Sequence, residues 1–381
     1  MGGMRIAAIG DAHLGRSAYT ATTPDGVNMR EHDFEVSFAA AIEACLAQEP
    51  ELVVWLGDVF DHPRPSYRSF RVVMRALSRL REHGVGLVAI SGNHDTPRLP
   101  GTGNPYAVLD DAFPEFHFAY RMAYEAVNVA GLRIHCVPQM RTAEDTVEAL
   151  HRADHERSVD RVNLLITHPL VQSVERRYAD INEIEIDDAE LRSDHVLLGH
   201  YHVFTKVRPQ VHYVGSTDTF GFGDVAHIPK GIVVLNTDTA EAKLVGLSGQ
   251  RTLHTPDQIS GWGRGPAEIQ GDIAKTLGAL PAGDIARLTL DGIAPEVYRL
   301  LDLGAIGEAG ASLLHWRLQP AFDTTSHTVE DLPEIGSLGQ RWQAYVAEQQ
   351  LDTLDPQRIV RTGQEYLDHA IEAAFDTAGS D

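Results

Sequence analysis

The sequence predicts an α/β fold with a metal site at one edge of its sheet, and two observations favour this prediction. Short apolar runs alternate with segments of helical periodicity through the N-terminal half of the chain, a pattern typical of α/β proteins. Five of the runs end in aspartate, asparagine or histidine. Ligands of such sheets bind beyond the carboxyl ends of the strands, so we expect the five groups of polar side chains to converge there.

The first apolar run, residues 5–10, reads as a buried strand and leads into Asp11 and His13. Residues two apart in extended backbone point to the same side, so these two side chains can bind one ion together. An amphipathic helix is predicted next, over residues 33–48, because its apolar residues recur on one face. The second strand follows this helix.

The second apolar run, Leu52–Leu56, leads through Gly57 to Asp58. Glycine lets the backbone turn sharply, and taken alone a glycine and an aspartate after a strand are typical of an ordinary turn. Because similar arrangements recur at four other strand ends, we interpret Asp58 as a metal ligand. A second helix is predicted over residues 67–83, with Gly84 as its C-terminal stop.

Three further apolar runs end in candidate ligands. The residues that follow them are Asn93 and His94 after residues 85–90, His168 after residues 162–166, and His200 and His202 after residues 196–198. The last two are again two positions apart, which places them on one side of an extended backbone.

Together the candidate ligands are seven oxygen and nitrogen donors without sulfur. Such a set suits two hard or borderline divalent ions, manganese or iron more readily than a closed structural zinc site. Two ions about 3.5–4 Å apart can clamp a phosphate and activate water, and one carboxylate has to bridge them. Asp58 is central in the order of strands and is the best placed. The seven donors are Asp11, His13, Asp58, Asn93, His168, His200 and His202.

The prediction of a metal site depends on the recurrence of candidate ligands at five strand ends. The chain has 19 histidines, so any one of them alone is more typical of a surface or packed residue than of a ligand. Five stretches in one order, each at the end of an apolar run, are not explained in that way.

The remainder of the chain predicts further domains. Strand-like segments between residues 211 and 247 suggest a second sheet that closes the catalytic domain, and later segments lose this periodicity. The two terminal apolar stripes have helical spacing. The predicted organisation is a catalytic domain at 1–254, a linker at 255–266, a small α+β domain at 267–332 and a C-terminal helical segment at 333–381.

Composition limits the partners and the compartment. The net charge is −22, with 32 lysines and arginines against 54 acidic residues, which argues against a free-standing DNA binder. Bound cations or a basic partner subunit would offset this charge. No apolar stretch is long enough to span a membrane, and Cys45 and Cys136 lack the spacing of a disulfide or a thiolate metal site. We therefore expect a cytoplasmic protein.

Five motifs, taken in order, resemble those of the calcineurin-like metallophosphoesterases. The resemblance covers about residues 5–219, and the motifs are Asp-x-His at Asp11, Gly-Asp-x-x-Asp at Gly57, Gly-Asn-His-Asp at Gly92, Thr-His at Thr167 and Gly-His-x-His at Gly199. Details such as Arg64-Pro65-Ser66 after the second motif are similar to the nuclease branch that includes bacterial SbcD and its double-strand-break repair relatives. The resemblance implies a four-layer α/β/β/α metallophosphoesterase sandwich, two manganese ions, and an exonuclease and endonuclease that acts on DNA ends.

The resemblance also assigns roles. One ion would be bound by Asp11, His13, Asp58 and His202, and the other by Asp58, Asn93, His168 and His200. His94 would contact the scissile phosphate and help to protonate the leaving oxygen, a task suited to histidine near neutral pH. Asp61 would hydrogen-bond His94 and hold its tautomer. Some members of the nuclease branch have histidine at that position, so the detailed role of Asp61 stays open.

The later segments resemble this branch in outline. Residues 267–332 resemble a small capping domain that contacts DNA beside the active site, although residues 267–330 hold four basic side chains against nine acidic ones. The C-terminal stripes resemble the segment by which the family binds the coiled-coil base of its ATPase partner. The alternative is two helices packed on their own domain.

The sequence therefore predicts a Mn-dependent DNA exonuclease and endonuclease, the nuclease subunit of an SbcCD-like double-strand-break repair complex. DNA ends or hairpins would be its substrate, an SbcC-like coiled-coil ATPase its partner, and a homodimer is left open. A second hypothesis is a metallophosphodiesterase that acts on nucleotides or other small phosphodiesters. The acidic composition favours it, and the long segment after the catalytic domain opposes it. A third is a scaffold subunit with a vestigial site, which the complete ligand set argues against.

Overall fold

The computed structural model describes residues 4–99, 101–175, 183–224, 228–323, 342–343, 346–347 and 357–363. The chain forms two compact units, Met1–Phe322 and Asp323–Asp381. The strands of the first unit, in chain order, are β1 (Arg5–Ile9), β2 (Leu52–Leu56), β3 (Gly86–Ile90), β4 (His117–Ala119), β5 (Glu125–Val129), β6 (Leu132–Val137), β7 (Val162–Thr167), β8 (Leu170–Val171), β9 (Glu185–Ile186), β10 (His195–Leu198), β11 (Thr205–Arg208), β12 (Val211–Tyr213), β13 (Gly231–Asn236), β14 (Glu241–Gly246), β15 (Leu253–His254), β16 (Ile259–Ser260), β17 (Ile285–Ile293) and β18 (His315–Phe322).

Seven α-helices accompany these strands within the described part of the first unit. They are α1 (Met29–Ala47), α2 (Tyr67–Glu82), α3 (Pro105–Ala112), α4 (Ala143–His155), α5 (Pro266–Gly278), α6 (Pro295–Arg299) and α7 (Leu303–Ala309). None of the helices in the described ranges is long and apolar enough to cross a membrane.

Two six-stranded sheets form the centre of the unit. The first has the order β14-β13-β1-β2-β3-β4, and the second has the order β11-β12-β10-β7-β6-β5. Strands β1 to β4 run parallel, as do β12, β10, β7 and β6, so their carboxyl ends lie at one edge of each sheet. Of the segments predicted to form a second sheet, β12 lies there, but β13 and β14 instead extend the first sheet beside β1. The second sheet supplies two of the ligand-bearing loops, after β7 and β10.

Apolar side chains fill the space between the two sheets. Ile6 and Val54 of the first sheet and Ile134 and Ile166 of the second belong to this layer, and all four are fully buried. A strand presents alternate residues to its two faces, so strands buried on both faces read as continuous apolar runs. This packing explains why the runs were visible in the sequence.

The outer faces of both sheets are covered by helices. Phe38 of α1 and Leu77 of α2 pack with Trp55 of the first sheet. On the other side, Leu150 of α4 packs with Leu165 of the second sheet. The layers are therefore helix, sheet, sheet and helix, and the α/β/β/α fold class predicted from the sequence is confirmed.

Helix α1 begins four residues before the predicted start at residue 33. Asn28 caps it, because the Asn28 side-chain oxygen accepts hydrogen bonds from the main-chain N–H groups of Arg30 and Glu31, at 3.0 and 3.3 Å. The prediction followed the apolar stripe, which begins later than the capping residue. Helix boundaries are set by such caps as much as by periodicity.

A third sheet follows the catalytic layers. Strand β17 pairs in parallel with β15 and β16 on one side and with β18 on the other. Strand β16 lies inside residues 255–266, which the sequence presented as a linker. Helices α6 and α7 are separate, because Asp302 caps α7 by accepting hydrogen bonds from the main-chain N–H groups of Gly304 and Ala305. The domain boundaries at 254, 266 and 332 stay predictions.

The second unit is described only in short pieces. Residues 342–343, 346–347 and 357–363 are helical, and the indole N–H of Trp342 donates a hydrogen bond to the carbonyl of Val360 at 3.2 Å. Most of the predicted apolar stripes, including Leu338, Tyr366 and Leu367, lie outside the described residues. The partner-binding role of residues 333–381 stays a prediction.

Candidate metal centre

Loops at the carboxyl ends of β1, β2, β3, β7 and β10 bring together the seven predicted ligands. Three groups of side chains have potential ligand atoms within 4.8 Å of one another: Asp11, His13 and His202; Asp58, His168 and His200; and His13, Asp58 and His94. The side chains are buried or nearly so, and Asp11 and His13 are fully inaccessible to solvent. Asn93 joins the second group through its side-chain oxygen.

The first group is arranged as an ion site by the contacts behind His13. Nδ1 of His13 lies 3.0 Å from Oδ1 of Asp61, and a carboxylate accepts, so Nδ1 carries the ring hydrogen. Nε2 of His13 then presents a lone pair, and it lies 3.1 Å from Nε2 of His202. Oδ2 of Asp11 is buried without a hydrogen-bond partner among the described residues. A buried carboxylate oxygen beside imidazole lone pairs suits a cation.

The second group is arranged as an ion site by the contacts of His168 and His200. Nδ1 of His168 lies 2.5 Å from the carbonyl oxygen of Leu56, which can only accept, so Nδ1 carries the hydrogen. Nε2 of His168 therefore faces Asp58 Oδ2 and Asn93 Oδ1 with a lone pair, at 3.1 Å from each. Nδ1 of His200 lies 3.1 Å from the same Asn93 oxygen. Converging lone pairs are satisfied by a cation or by an additional proton.

The pKa shifts of the buried side chains indicate a site that favours positive charge. Burial opposes ionisation of His168, yet the neighbouring Asp58 carboxylate outweighs burial and raises the pKa of His168 to about 9. Burial also opposes ionisation of Asp58, but His168 and His94 hold the pKa of Asp58 well below its usual range. Burial raises the pKa of Asp11 to about 7, partly offset by His168. A bound divalent cation would supply the charge that these groups favour.

Four of the candidate ligands have left-handed backbone, which is uncommon outside glycine. The φ angles are 48° at Asp11, 44° at His13, 51° at Asp58 and 81° at His200. Hydrogen bonds hold these turns, including His13 N to Asp58 O at 2.9 Å and His200 N to the Asp11 carboxylate at 2.9 Å. Asp11 and His13 therefore do not meet through extended backbone, as the sequence predicted, because left-handed turns bring their side chains together instead.

Two glycines allow the loops to approach the centre. A side chain at Gly199 would meet the Leu56 carbonyl and the His168 ring, and one at Gly92 would meet the Asp58 carboxylate and the same ring. Both motifs therefore need glycine because the backbone itself packs against a ligand.

His94 and Asp61 are adjacent, but not as the sequence predicted. Nδ1 of His94 lies 3.1 Å from the main-chain carbonyl of Asp61 and 3.8 Å from its carboxylate. The carboxylate is too far from His94 for a hydrogen bond and contacts His13 instead. The predicted contact between the Asp61 carboxylate and His94 is corrected to this carbonyl. The contact with the carbonyl still assigns the ring hydrogen of His94 to Nδ1, because a carbonyl oxygen only accepts.

Sequence reasoning missed residues that support the ligands. The Phe220 ring lies 4.7 Å from that of His13 and 4.5 Å from that of His202. The guanidinium of Arg16 lies 3.3 Å from the Phe220 ring centre and 3.7 Å from Oδ1 of Asp61. Phe220 follows no apolar run and carries no ligand atom, so no pattern in the sequence marked it.

Asp95 was visible in the Gly-Asn-His-Asp motif without a role. It is fully buried, and its carboxylate accepts hydrogen bonds from Gly92 N at 2.7 Å and from Val59 N at 2.9 Å. Burial raises its pKa to about 8. Asp95 ties the loop that carries Asn93 to the loop that carries Asp58.

Comparison with known proteins bears on the same region. The family model described as calcineurin-like phosphoesterase matches residues 4–204, more than half of the 381 residues. The DNA double-strand break repair protein Mre11 of Methanopyrus kandleri is 27% identical over 260 residues, which cover 62% of this chain and 54% of that protein. The Mre11 protein of Sulfurisphaera tokodaii is 27% identical over 200 residues, covering 52% and 49%. This chain spans about half the length of both relatives.

Two further likenesses are weaker in coverage or in fold. The Mre11 protein of Methanocaldococcus jannaschii is 33% identical over 108 residues, 28% of each chain. A phosphopantetheinyl hydrolase of Mycobacterium tuberculosis, PptH, covers 57% of this chain and 92% of its own at 12% identity and a TM-score of 0.33. A TM-score this low carries no argument about fold or function.

Proposed function

The chain belongs to the calcineurin-like phosphoesterase family, and from that premise we propose that it is a manganese-dependent DNA exonuclease and endonuclease. It would be the nuclease subunit of an SbcCD-like double-strand-break repair complex. The observation that carries the proposal is the position of Asp58, whose Oδ2 lies 3.9 Å from Nε2 of His13 and 3.1 Å from Nε2 of His168. A carboxylate between two ion sites is what a dinuclear phosphodiesterase needs.

The residues divide between two ions as follows. Asp11, His13, Asp58 and His202 would hold one, and Asp58, Asn93, His168 and His200 the other. Oxygen and nitrogen donors without sulfur suit manganese or iron more readily than a closed structural zinc site, and the resemblance to the nuclease branch favours manganese. When bound, two such ions supply Lewis acidity at the phosphate and a nucleophile at neutral pH.

His94 would act on the leaving oxygen. Its Nδ1 hydrogen is directed at the Asp61 carbonyl, so Nε2 would carry the proton that is transferred. About a fifth of the His94 side chain is exposed, whereas the ligand histidines are almost completely buried. This exposure suits a residue that meets the substrate rather than an ion.

Two cavities beside the centre support a polymeric substrate. One, of about 610 Å³, is lined by His94, Arg64 and Arg98 among others. The second, of about 500 Å³, is lined by Asn93, Arg98 and Arg141 among others. Their positions on both sides of the Asn93 loop suit a strand that continues past the reacting phosphate.

The arginines in these cavities are available to anions. Arg64, Arg98 and Arg141 are exposed, and within the described part of the chain they make no ion pair, whereas Arg68 and Arg79 pair with glutamates. A guanidinium without a carboxylate partner can hold a phosphate through two hydrogen bonds. In a chain of net charge −22, this grouping favours DNA over the alternative of a small phosphodiester.

The test compares two substrates. The full chain with Mn²⁺ is expected to degrade linear or hairpin DNA, faster with the ATPase partner and little with Mg²⁺. Replacing Arg64, Arg98 and Arg141 by Gln is expected to raise KM for DNA and leave hydrolysis of bis(p-nitrophenyl) phosphate unchanged, with exposed Arg71→Gln as the control. Hydrolysis of the small substrate while DNA stays intact, even with the ATPase, would favour the metallophosphodiesterase alternative.

Two partners are proposed, DNA and an ATPase. The Mre11 relatives are DNA double-strand break repair proteins, which supports DNA as the substrate. The resemblance of the C-terminal stripes supports an SbcC-like coiled-coil ATPase as partner in the cytoplasm, with homodimerisation open. Co-purification of the full chain from its source tests this, because a large coiled-coil ATPase should accompany it.

A further inference from the structure

A carboxylate lies behind the ligand His200, on the side away from Asn93. Nε2 of His200 is 3.3 Å from Oε2 of Glu183, while Nδ1 of His200 is 3.1 Å from Oδ1 of Asn93. The two side chains are buried, with 8% of His200 and 5% of Glu183 exposed. One nitrogen of this ring therefore faces the candidate ion site and the other faces a buried acid.

This contact decides the tautomer of His200. An ionised carboxylate only accepts hydrogen bonds, so the ring hydrogen lies on Nε2 and points at Glu183. Nδ1 then presents its lone pair to the space beside Asn93. A carboxylate behind a ligand histidine also makes the ring a stronger donor to a metal ion and fixes its orientation.

Two of the other ligand histidines, His13 and His168, have acceptors in the same relation. His13 has the Asp61 carboxylate behind it, and His168 has the Leu56 carbonyl. The acceptor behind His168 is an uncharged carbonyl. Of the three acceptors, Glu183 is therefore the one carboxylate that contacts a histidine of the second ion site, which His168 and His200 would form. Its negative charge would add to the attraction for that ion.

We propose that Glu183 is a positioning residue that holds His200 with its Nδ1 lone pair aimed at the second ion, and so sets the affinity for that ion. The proposal rests on the two-ion site proposed above. It makes the two ions depend on different acids, Asp61 for the first and Glu183 for the second, so that one affinity can be lowered without the other.

The test is Mn²⁺ binding by the full chain without DNA, measured by titration calorimetry. Wild type is expected to bind two ions, and Glu183→Gln is expected to bind one of them about 10 to 100-fold more weakly. Glu183→Asp, which keeps the charge, should recover part of that affinity. Glu185→Gln is the matched control, because Glu185 and Glu183 both line the cavity of about 500 Å³ but Glu185 is exposed. This variant should bind both ions as wild type does.

A second readout separates positioning from stability. In metal-free protein, ¹⁵N spectra of the histidine rings should show His200 with its hydrogen on Nε2 in wild type and a mixture of tautomers in Glu183→Gln. The proposal would be overturned if Glu183→Gln showed the same His200 tautomer as wild type, the same affinity for both ions, or equal weakening of both. It would also be overturned if wild type failed to bind two ions. Two-ion binding without DNA cleavage would instead contradict the nuclease function and leave the role of Glu183 standing.

Discussion

The carboxylate of Asp61 lies 3.0 Å from Nδ1 of His13, and the nearest nitrogen of His94 is 3.8 Å away from it. The acid three residues after Asp58 therefore contacts His13, a candidate ion ligand. His94 is oriented by the main chain of the same residue. The loop after β2 thus carries the candidate bridging carboxylate, an acid that contacts a candidate ligand, and a carbonyl beside the candidate proton donor.

Asp61→Asn is expected to weaken the ion bound by His13 about 10 to 100-fold, because the amide no longer fixes the His13 tautomer with a negative charge. Calorimetric titration with Mn²⁺ measures this, with exposed Asp238→Asn as the control. Loss of turnover with both ions bound normally would show that the Asp61 carboxylate serves His94 instead.

His94→Gln is expected to lower kcat on DNA by about 10²–10⁴-fold while both ions remain bound, because the variant cannot protonate the leaving oxygen. The loss should be much smaller with bis(p-nitrophenyl) phosphate, since p-nitrophenolate leaves without a proton. Rates on the two substrates and Mn²⁺ stoichiometry check this. Loss of an ion in the variant would make His94 a ligand, as its proximity to His13 and Asp58 allows.

Gly199→Ala is expected to destabilise the protein by roughly 1–3 kcal/mol, because the new methyl group meets the Leu56 carbonyl and the His168 ring. It should also weaken the second ion, since His168 cannot keep its orientation. Gly271→Ala, in the exposed middle of α5 with nothing within 4 Å, should stabilise by about 0.5–1 kcal/mol. Urea unfolding compares the variants, and unchanged stability in Gly199→Ala would contradict the packing.

His212, a buried histidine outside the candidate ion sites, is expected to make the stability of the fold depend on pH. Burial lowers the pKa of His212 to about 4, whereas an unfolded histidine titrates near 6.5. Between these values the unfolded chain binds the additional proton, so this contribution to stability is present above about pH 6.5 and is lost as the pH falls towards 4.

Urea unfolding of metal-free His212→Asn and wild type from pH 7.5 to 4 isolates that contribution. The midpoint of the variant should fall less on acidification than that of wild type, while exposed His155→Asn should follow wild type. Parallel curves for His212→Asn and wild type would show that His212 is protonated in the folded state.

The layers of the fold and the gathering of ligands followed from local pattern. Central strands buried on both faces, such as β2, read as apolar runs, and parallel strands align their carboxyl ends, so a ligand at each end could be recognised. What periodicity cannot give is the backbone of the loops. The left-handed turns at Asp11 and His200 are held by contacts between loops distant in sequence, such as His200 N to the Asp11 carboxylate.

The contacts of the two acids with the candidate ligand histidines could not be predicted from the sequence, for a related reason. Glu183 lies 17 positions before His200 in an acid-rich stretch without periodicity, and nothing there distinguishes it from its acidic neighbours. Asp61 was recognised because it belongs to a motif, yet its partner was wrong, since spacing does not reveal which of two neighbouring histidines lies nearer. Both pairings depend on how the loops pack in three dimensions.

The central claim is that Asp58 lies between two ion sites, one formed with His13 and the other with His168. Anomalous diffraction at the manganese edge, from crystals of the full chain soaked in Mn²⁺, tests it most directly. We expect two peaks about 3.5–4 Å apart, with the Asp58 carboxylate in contact with both. A single peak, or a second peak that Asp58 does not touch, would contradict the account.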